Sequence, residues 1–287
     1  MFDAAARDKF QLTPYKFDDY SHVIDEEIDN LSESDEYCIT KKDVVDLSSF
    51  RPQPELHPKI WPHNKLNSKV RLRLLDIADD FIETLCVNWA KPKDIILTGS
   101  LANYNWSRYS DFDLHIVIDF KEVDERVEFV KDYFDSKKKI WNEQHENLKI
   151  YGFPVEVYVQ DCNEQHTASG VYSLERNKWL VVPEKNNIKA IQLNKFFIKE
   201  KVFKFMKQID ALEDALNKTD DAQNVEQIGL KAKALFDKIK GIRKESLAKG
   251  NEMSSGNIIF KCLRRLNYIG KLVDIKAKTY DKIYSIK

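Results

Sequence analysis

Two aspartates two positions apart, Asp111 and Asp113, sit at the start of the run DFDLHIVID. The run is apolar enough to be a buried strand. Side chains alternate along a strand, so both carboxylates point to one face and Phe112 to the other. Adjacent carboxylates on one face repel unless a cation lies between them. Hard oxygen ligands suit Mg²⁺ or Mn²⁺, which proteins hold with one or two carboxylates plus substrate phosphates. Upstream, the run DIILTGS ends in Gly99-Ser100. Glycine lets backbone approach a phosphate closely. The serine hydroxyl and the free N–H groups of a following helical turn can receive phosphate oxygens. A third carboxylate is expected on a neighbouring strand, and PVEVYV supplies Glu156 between Val155 and Val157. A charged residue in an apolar strand is costly unless solvated or paired. A place beside Asp111 and Asp113 removes that cost.

The elements that must position these groups are legible from periodicity. Leu66, Val70, Leu74, Ile77, Phe81 and Leu85 recur at spacings of three and four, which predicts a helix over 66–90 that Pro92 ends. Strands are predicted at DIILT, at 111–119 and at 153–160, with one or two helical turns at 101–109. A helix is expected over 121–146, and a hairpin over 170–182 with its turn near Glu175–Lys178. Four prolines in RPQPELHPKIWPH keep 51–63 extended, a strap packed by Leu56, Ile60 and Trp61. After Pro183, the last proline, three helices are predicted over 187–217, 222–249 and 256–284. Asp220 or Asp221, and Ser254 or Ser255, are their N-cap residues. The organisation expected is an acidic arm at 1–37, an α/β core at 38–183 and a helical domain at 187–287.

The set Gly99-Ser100, Asp111-Phe112-Asp113 and Glu156 resembles the nucleotidyltransferase superfamily with the polymerase-beta-like fold. The likeness in motif runs over about residues 66–160. It implies an α+β fold: a mixed β-sheet core with flanking helices, followed by C-terminal helices. It also implies transfer of a nucleoside monophosphate from a triphosphate such as ATP to an acceptor hydroxyl. Asp111, Asp113 and Glu156 would be catalytic and metal-binding, holding two Mg²⁺ or Mn²⁺ ions. Gly99 and Ser100 would hold the terminal phosphates. Lys261, Arg264 and Arg265 fall at i, i+3 and i+4 on one helix face. The resemblance makes them candidates for the triphosphate or a nucleic-acid backbone, against the plainer reading of a solvated face. Lys271 extends that patch.

Other residues near the motif have milder readings. His115, on the face of Asp113, could touch nucleotide, but such a histidine is more often structural. Tyr158 shares the face of Glu156 and could stack on a base. Arg108, beside Tyr109, could reach a phosphate, with a surface ion pair the plainer reading. Asn103, Tyr104 and Trp106 are expected to pack the turn after Gly-Ser, and Asp119 to cap a helix.

Composition narrows the remaining choices. The chain has 287 residues, 32% charged and 43% hydrophobic, without an apolar run of membrane-spanning length. The opening MFDAAARDKF has no apolar stretch, so no secretory signal is expected. Cys38, Cys86, Cys162 and Cys262 form no CxxC pair and the six histidines no HxxxH pair, so neither a disulfide scaffold nor a structural zinc is expected. A reduced, cytoplasmic setting fits. Only 8 glycines occur, with no GxGxxG or GxxxxGK[ST]. Net charge is −1, yet residues 1–50 hold 5 Lys/Arg against 13 Asp/Glu and residues 231–287 hold 15 against 5. The basic end leans the expected acceptor toward RNA or a tRNA end. A small molecule such as an aminoglycoside, a protein side chain, or self-assembly of a cyclic or linear signalling oligonucleotide stay open. So does a non-catalytic copy that binds a nucleotide or a partner. The acidic head could also lie across the basic tail. The preferred base and the oligomeric state are not encoded in any motif.

Overall fold

The computed structural model describes residues 45–164, 168–185, 194–249 and 252–286. The acidic arm expected at 1–37 lies outside the described residues. Two compact units are present: Asp46–Ile198 with Asp237–Cys262 form one, and Lys199–Phe236 with Leu263–Lys287 belong to the other.

The first unit is built on a six-stranded mixed sheet of β1 (Asp94–Thr98), β2 (Phe112–Ile118), β3 (Lys149–Ile150), β4 (Phe153–Asp161), β5 (Val171–Ser173) and β6 (Lys178–Val181). Their order is β3-β4-β2-β1-β5-β6. β1 runs antiparallel to β2 and β5, whereas β2 and β4 are parallel. A parallel pair needs a long crossover. Helices α2 (Phe120–Val123) and α3 (Val127–Gln144) supply it. Asp119 caps α2 as expected, its carboxylate accepting from Lys121 N.

The core lies under one face of the sheet. Phe112, Leu114, Ile116 and Ile118 of β2 and Val155 and Val157 of β4 point into it, and the residues between them do not. Against this face pack Val70, Leu74, Ile77, Phe81 and Leu85 of helix α1 (Ser68–Leu85), with Val130, Phe134 and Trp141 of α3. Burying each large apolar side chain contributes about 1.5–3 kcal/mol. Helix α1 begins where Asn67 accepts a hydrogen bond from Lys69 N and ends at Cys86, whose φ is +55°. The alternation of β2 and β4 therefore buries one row and turns the polar row, Asp113, His115, Glu156, Tyr158 and Gln160, to the opposite face.

Beyond the short β3, the open edge of β4 is closed by a side chain. Val157 N donates to Asn142 Oδ1 (3.0 Å) and Asn142 Nδ2 donates to Val157 O (3.2 Å), so the amide replaces a strand partner beside Glu156. The expected strap is present: Leu56, Ile60 and Trp61 are buried along 51–63. The hairpin is also as expected, with Leu174–Asn177 joining β5 to β6.

Two elements differ from the sequence reading. Of the one or two helical turns expected over 101–109, a single 3₁₀ turn at Ser100–Ala102 is present, and loop follows it. Side chains here compete for the backbone: Asn103 Oδ1 accepts from Tyr104 N, and Ser110 Oγ accepts from Ser107 N. The helix expected over 256–284 is two, Ser255–Arg265 and Tyr268–Tyr284, broken at Asn267 with φ +61°. Asparagine tolerates that left-handed conformation better than most residues. With the preceding helices Lys195–Asn217 and Ala222–Lys249, these become α4 to α7. Asp221 caps α5 by accepting from Asn224 N (2.9 Å).

Within the second unit, Val202, Met206, Ile209, Val225, Leu235, Leu272 and Ile275 are buried. Lys271 bridges Asp210 (3.0 Å) and Glu213 (2.7 Å), which raises the pKa of its ammonium. Lys282 donates to Leu216 O and Thr219 O at the end of α4. No described helix is long and apolar enough to cross a membrane.

Candidate active site

β1 delivers the chain to Gly99, which has φ +75° and ψ −161°, a conformation open essentially to glycine alone. A β-carbon here would lie 1.7 Å from Asp113 Oδ2. Glycine is therefore required twice, for the turn and for the close approach to the carboxylate. The antiparallel register pairs Thr98 with Asp113, so the turn after β1 passes directly over the start of β2.

The loop after Gly99 is clamped from two sides. Ser100 Oγ donates to Ser110 Oγ (2.7 Å), which also accepts from Ser107 N (2.9 Å), drawing the ends of 100–110 together. The strap holds the outside. Trp61 Nε1 donates to Leu101 O (2.7 Å), Gln53 N to Tyr104 O (2.6 Å), Gln53 Nε2 to Trp106 O (3.0 Å), and Trp106 Nε1 to Glu55 O (2.9 Å). Asn103 reaches Ser169 Oγ. Tyr104 and Trp106 pack against the core, so these residues serve the loop.

The acidic residues come together through strand pairing. Asp113 and Glu156 are register partners across the parallel β2–β4 ladder. Adjacent strands lie about 4.8 Å apart, so the two carboxylates leave neighbouring points of one face. Asp111 precedes β2 by one residue. Tyr158, two residues beyond Glu156, donates its hydroxyl to Glu156 Oε2. Burial raises the pKa of this phenol, and the charges of Glu156, Asp113 and Asp111 raise it further. One hydroxyl thus feels all three carboxylates. His115 pairs in register with Tyr158 and stacks on its ring (centroids 4.9 Å, 23° between planes), while its Nδ1 bonds Gln160 Oε1 (3.0 Å).

The basic residues singled out on α6 are divided between the two compact units. Lys261 is paired with Glu252 (2.6 Å). Burial would raise the Glu252 pKa, but Lys261, Asn257 and Arg243 outweigh it and hold the carboxyl low. Arg264, exposed, and Arg265 occupy the last turn of α6, in the other compact unit. Arg108 makes the surface ion pair, with Asp46 at 3.1 Å.

Sequence reasoning missed one further cluster. Asp119, Asp161 and Cys162 bring three ligand atoms within 4.8 Å of one another at the far ends of β2 and β4. Asn163 Nδ2 spans the two carboxylates (3.4 and 3.0 Å), and Asp161 also accepts from Phe120 N and Asn163 N. These bonds identify it as a cap on the crossover. The available signal was positional: ID and QD both close apolar strands.

Residues 78–180 match the family model of the nucleotidyltransferase domain. The match spans Gly99, Ser100, Asp111, Asp113 and Glu156. Comparison with curated proteins finds no matching relative. Among solved structures, a STING-associated CdnE c-di-GMP synthase from Capnocytophaga granulosa matches at 12% identity over 92% of this chain and 99% of that chain. Its TM-score is 0.20.

Proposed function

We propose that the protein transfers a nucleoside monophosphate from a nucleoside triphosphate to an acceptor hydroxyl, with Asp111, Asp113 and Glu156 as its catalytic carboxylates. The observation that carries the reading is the register that sets Asp113 beside Glu156 under the Gly99 turn, inside a stretch that matches a nucleotidyltransferase domain. The donor set fits a divalent cation. Three carboxylates and no nitrogen or sulfur suit Mg²⁺ or Mn²⁺, and three like charges on one face call for a counter-charge. When bound, such ions neutralise triphosphate charge and lower the pKa of the acceptor hydroxyl.

The chain's own residues do the positioning. Backbone N–H groups of the Gly99-Ser100 turn, held by the strap and by Ser110, receive phosphate oxygens. Asp111 and Asp113 set the depth of the triphosphate, and Glu156 lies on the acceptor side. The acceptor oxygen bonds to the α-phosphorus, the bond from that phosphorus to the bridging oxygen breaks, and pyrophosphate leaves. The acceptor proton passes to Glu156 and on to solvent. Such catalysis rests mainly on orientation and fixed charge.

For the acceptor, the expectation of RNA rested on the basic end of the chain. Lys261, Lys271 and Lys282 have their ammonium groups engaged with Glu252, with Asp210 and Glu213, and with Asp220. That weakens charge as grounds for RNA. The test therefore runs each α-labelled triphosphate with Mg²⁺ or Mn²⁺, with RNA and with no acceptor, on wild type and on Asp113→Asn and Glu156→Gln. Label moves into RNA, or into a soluble product formed from triphosphates alone. Either variant loses at least about 100-fold, because electrostatic stabilisation of several kcal/mol goes with the carboxylate. Full transfer by both variants would refute the assignment.

A further inference from the structure

We propose that Tyr158 is a positioning residue for Glu156, fixing the rotation of that carboxylate beside Asp113. The inference rests on the reading of Glu156 as a metal-binding carboxylate. A glutamate carries more rotatable bonds than an aspartate, so of the three acidic groups it is the one with most freedom to lose. The hydroxyl of Tyr158 holds Glu156 Oε2. A hydrogen bond to an ionised acceptor is among the stronger ones, and it restrains the carboxylate before any ligand arrives.

The tyrosine ring is itself held. It stacks on His115, which is its cross-strand register partner, and His115 is bonded to Gln160. Lys138, from helix α3, places its ammonium 5.1 Å from the ring centroid and is anchored by Asp135 at 2.7 Å. Gln160, His115, Tyr158 and Glu156 thus form one continuous line along the polar face of β2 and β4, ending at Asp113. Of the three links that join these four residues, two are hydrogen bonds and one is a ring stack. Partners that orient a metal-binding side chain in this way typically change metal affinity or activity by 10–100-fold when removed.

Tyr158→Phe keeps the ring, its stacking on His115 and its contact with Lys138, and deletes only the hydroxyl. The full chain is titrated with Mn²⁺ alone, and free Mn²⁺ is followed by electron paramagnetic resonance. Wild type binds, and Tyr158→Phe binds about 10-fold more weakly with its circular dichroism and urea midpoint unchanged. In the transfer assay the same variant lowers kcat and leaves KM for the triphosphate within about twofold. In a Glu156→Gln background, where no carboxylate is left to orient, Tyr158→Phe has no further effect on Mn²⁺ binding. Mn²⁺ affinity equal to wild type in Tyr158→Phe, or a loss that persists undiminished beside Glu156→Gln, overturns the positioning role and leaves the proposed function standing. A wild type that binds no Mn²⁺ removes both.

Discussion

Replacing Gly99 with alanine separates two costs that the fold imposes at one residue. Gly99 has φ +75°, and its alanine β-carbon would sit 1.7 Å from Asp113 Oδ2. Backbone strain of this kind costs about 1–3 kcal/mol. The overlap adds a displacement. Real β-carbons almost never approach within 3.0 Å of such an atom, so the carboxylate must withdraw by more than about 1 Å. Asp113 has Thr98 on one side and Glu156 on the other in the ladder, which leaves little room for it to swing within the sheet plane. A misplacement of about 1 Å in a reacting constellation can cost about 100-fold. Gly152 provides the control. It sits with Tyr151 in a two-residue turn between β3 and β4, both at positive φ, and an added β-carbon there meets nothing within 4 Å. Gly152→Ala carries strain of about 1–2 kcal/mol and no overlap. Both variants are expected to melt lower, by about 2–4 °C per kcal/mol in a chain of this size. Only Gly99→Ala should lose nucleotide transfer, by at least about 100-fold, and weaken Mn²⁺ binding. Thermal melts, the labelled-triphosphate assay and the Mn²⁺ titration read all three quantities. Transfer by Gly99→Ala within threefold of wild type would refute the argument that the turn is packed against a working carboxylate.

Two further outcomes follow from contacts away from the acidic face. Trp61→Phe removes the indole donor to Leu101 O and leaves that buried carbonyl without it, so the urea midpoint should fall by the equivalent of about 1–3 kcal/mol; an unchanged midpoint would mean that the strap does not hold the loop. The hydrogen bonds from Arg126 hold the Asp124 carboxyl at about 2. Its folded value is below its unfolded one, so the stabilisation is present above about pH 4 and disappears as the pH falls toward 2. A carbon-13 titration should find its midpoint near 2, and higher in Arg126→Ala, which removes the guanidinium bonds and keeps the one from the backbone N–H; a wild-type midpoint near 4 contradicts the pairing.

Much of the site is local information and was legible as such. The spacing of Asp111 and Asp113, the glycine that ends DIILT, and the valines around Glu156 each specify a face by alternation within a few residues. The apolar stripe of α1 and the hairpin after Gly170 follow from period and turn chemistry in the same way. Local signals failed where side chains bond their own backbone, as Asn103 and Ser110 do in ending the turn after Gly99. They failed again where a single left-handed residue, Asn267, breaks an otherwise continuous helical pattern. No pattern within a segment could reveal that β4 returns parallel beside β2 with Glu156 level with Asp113. That register depends on burying Phe112, Leu114 and Ile116 with Val155 and Val157 on the same side, a sum over residues far apart in the chain. The same holds for the strap's grip on Leu101, the amide of Asn142 closing the strand edge, and the bond from Tyr158 to Glu156. Sequence determined which side chains could do chemistry and which way each would face; tertiary packing decided which of them meet, because meeting is set by the burial of whole faces and not by neighbours along the chain.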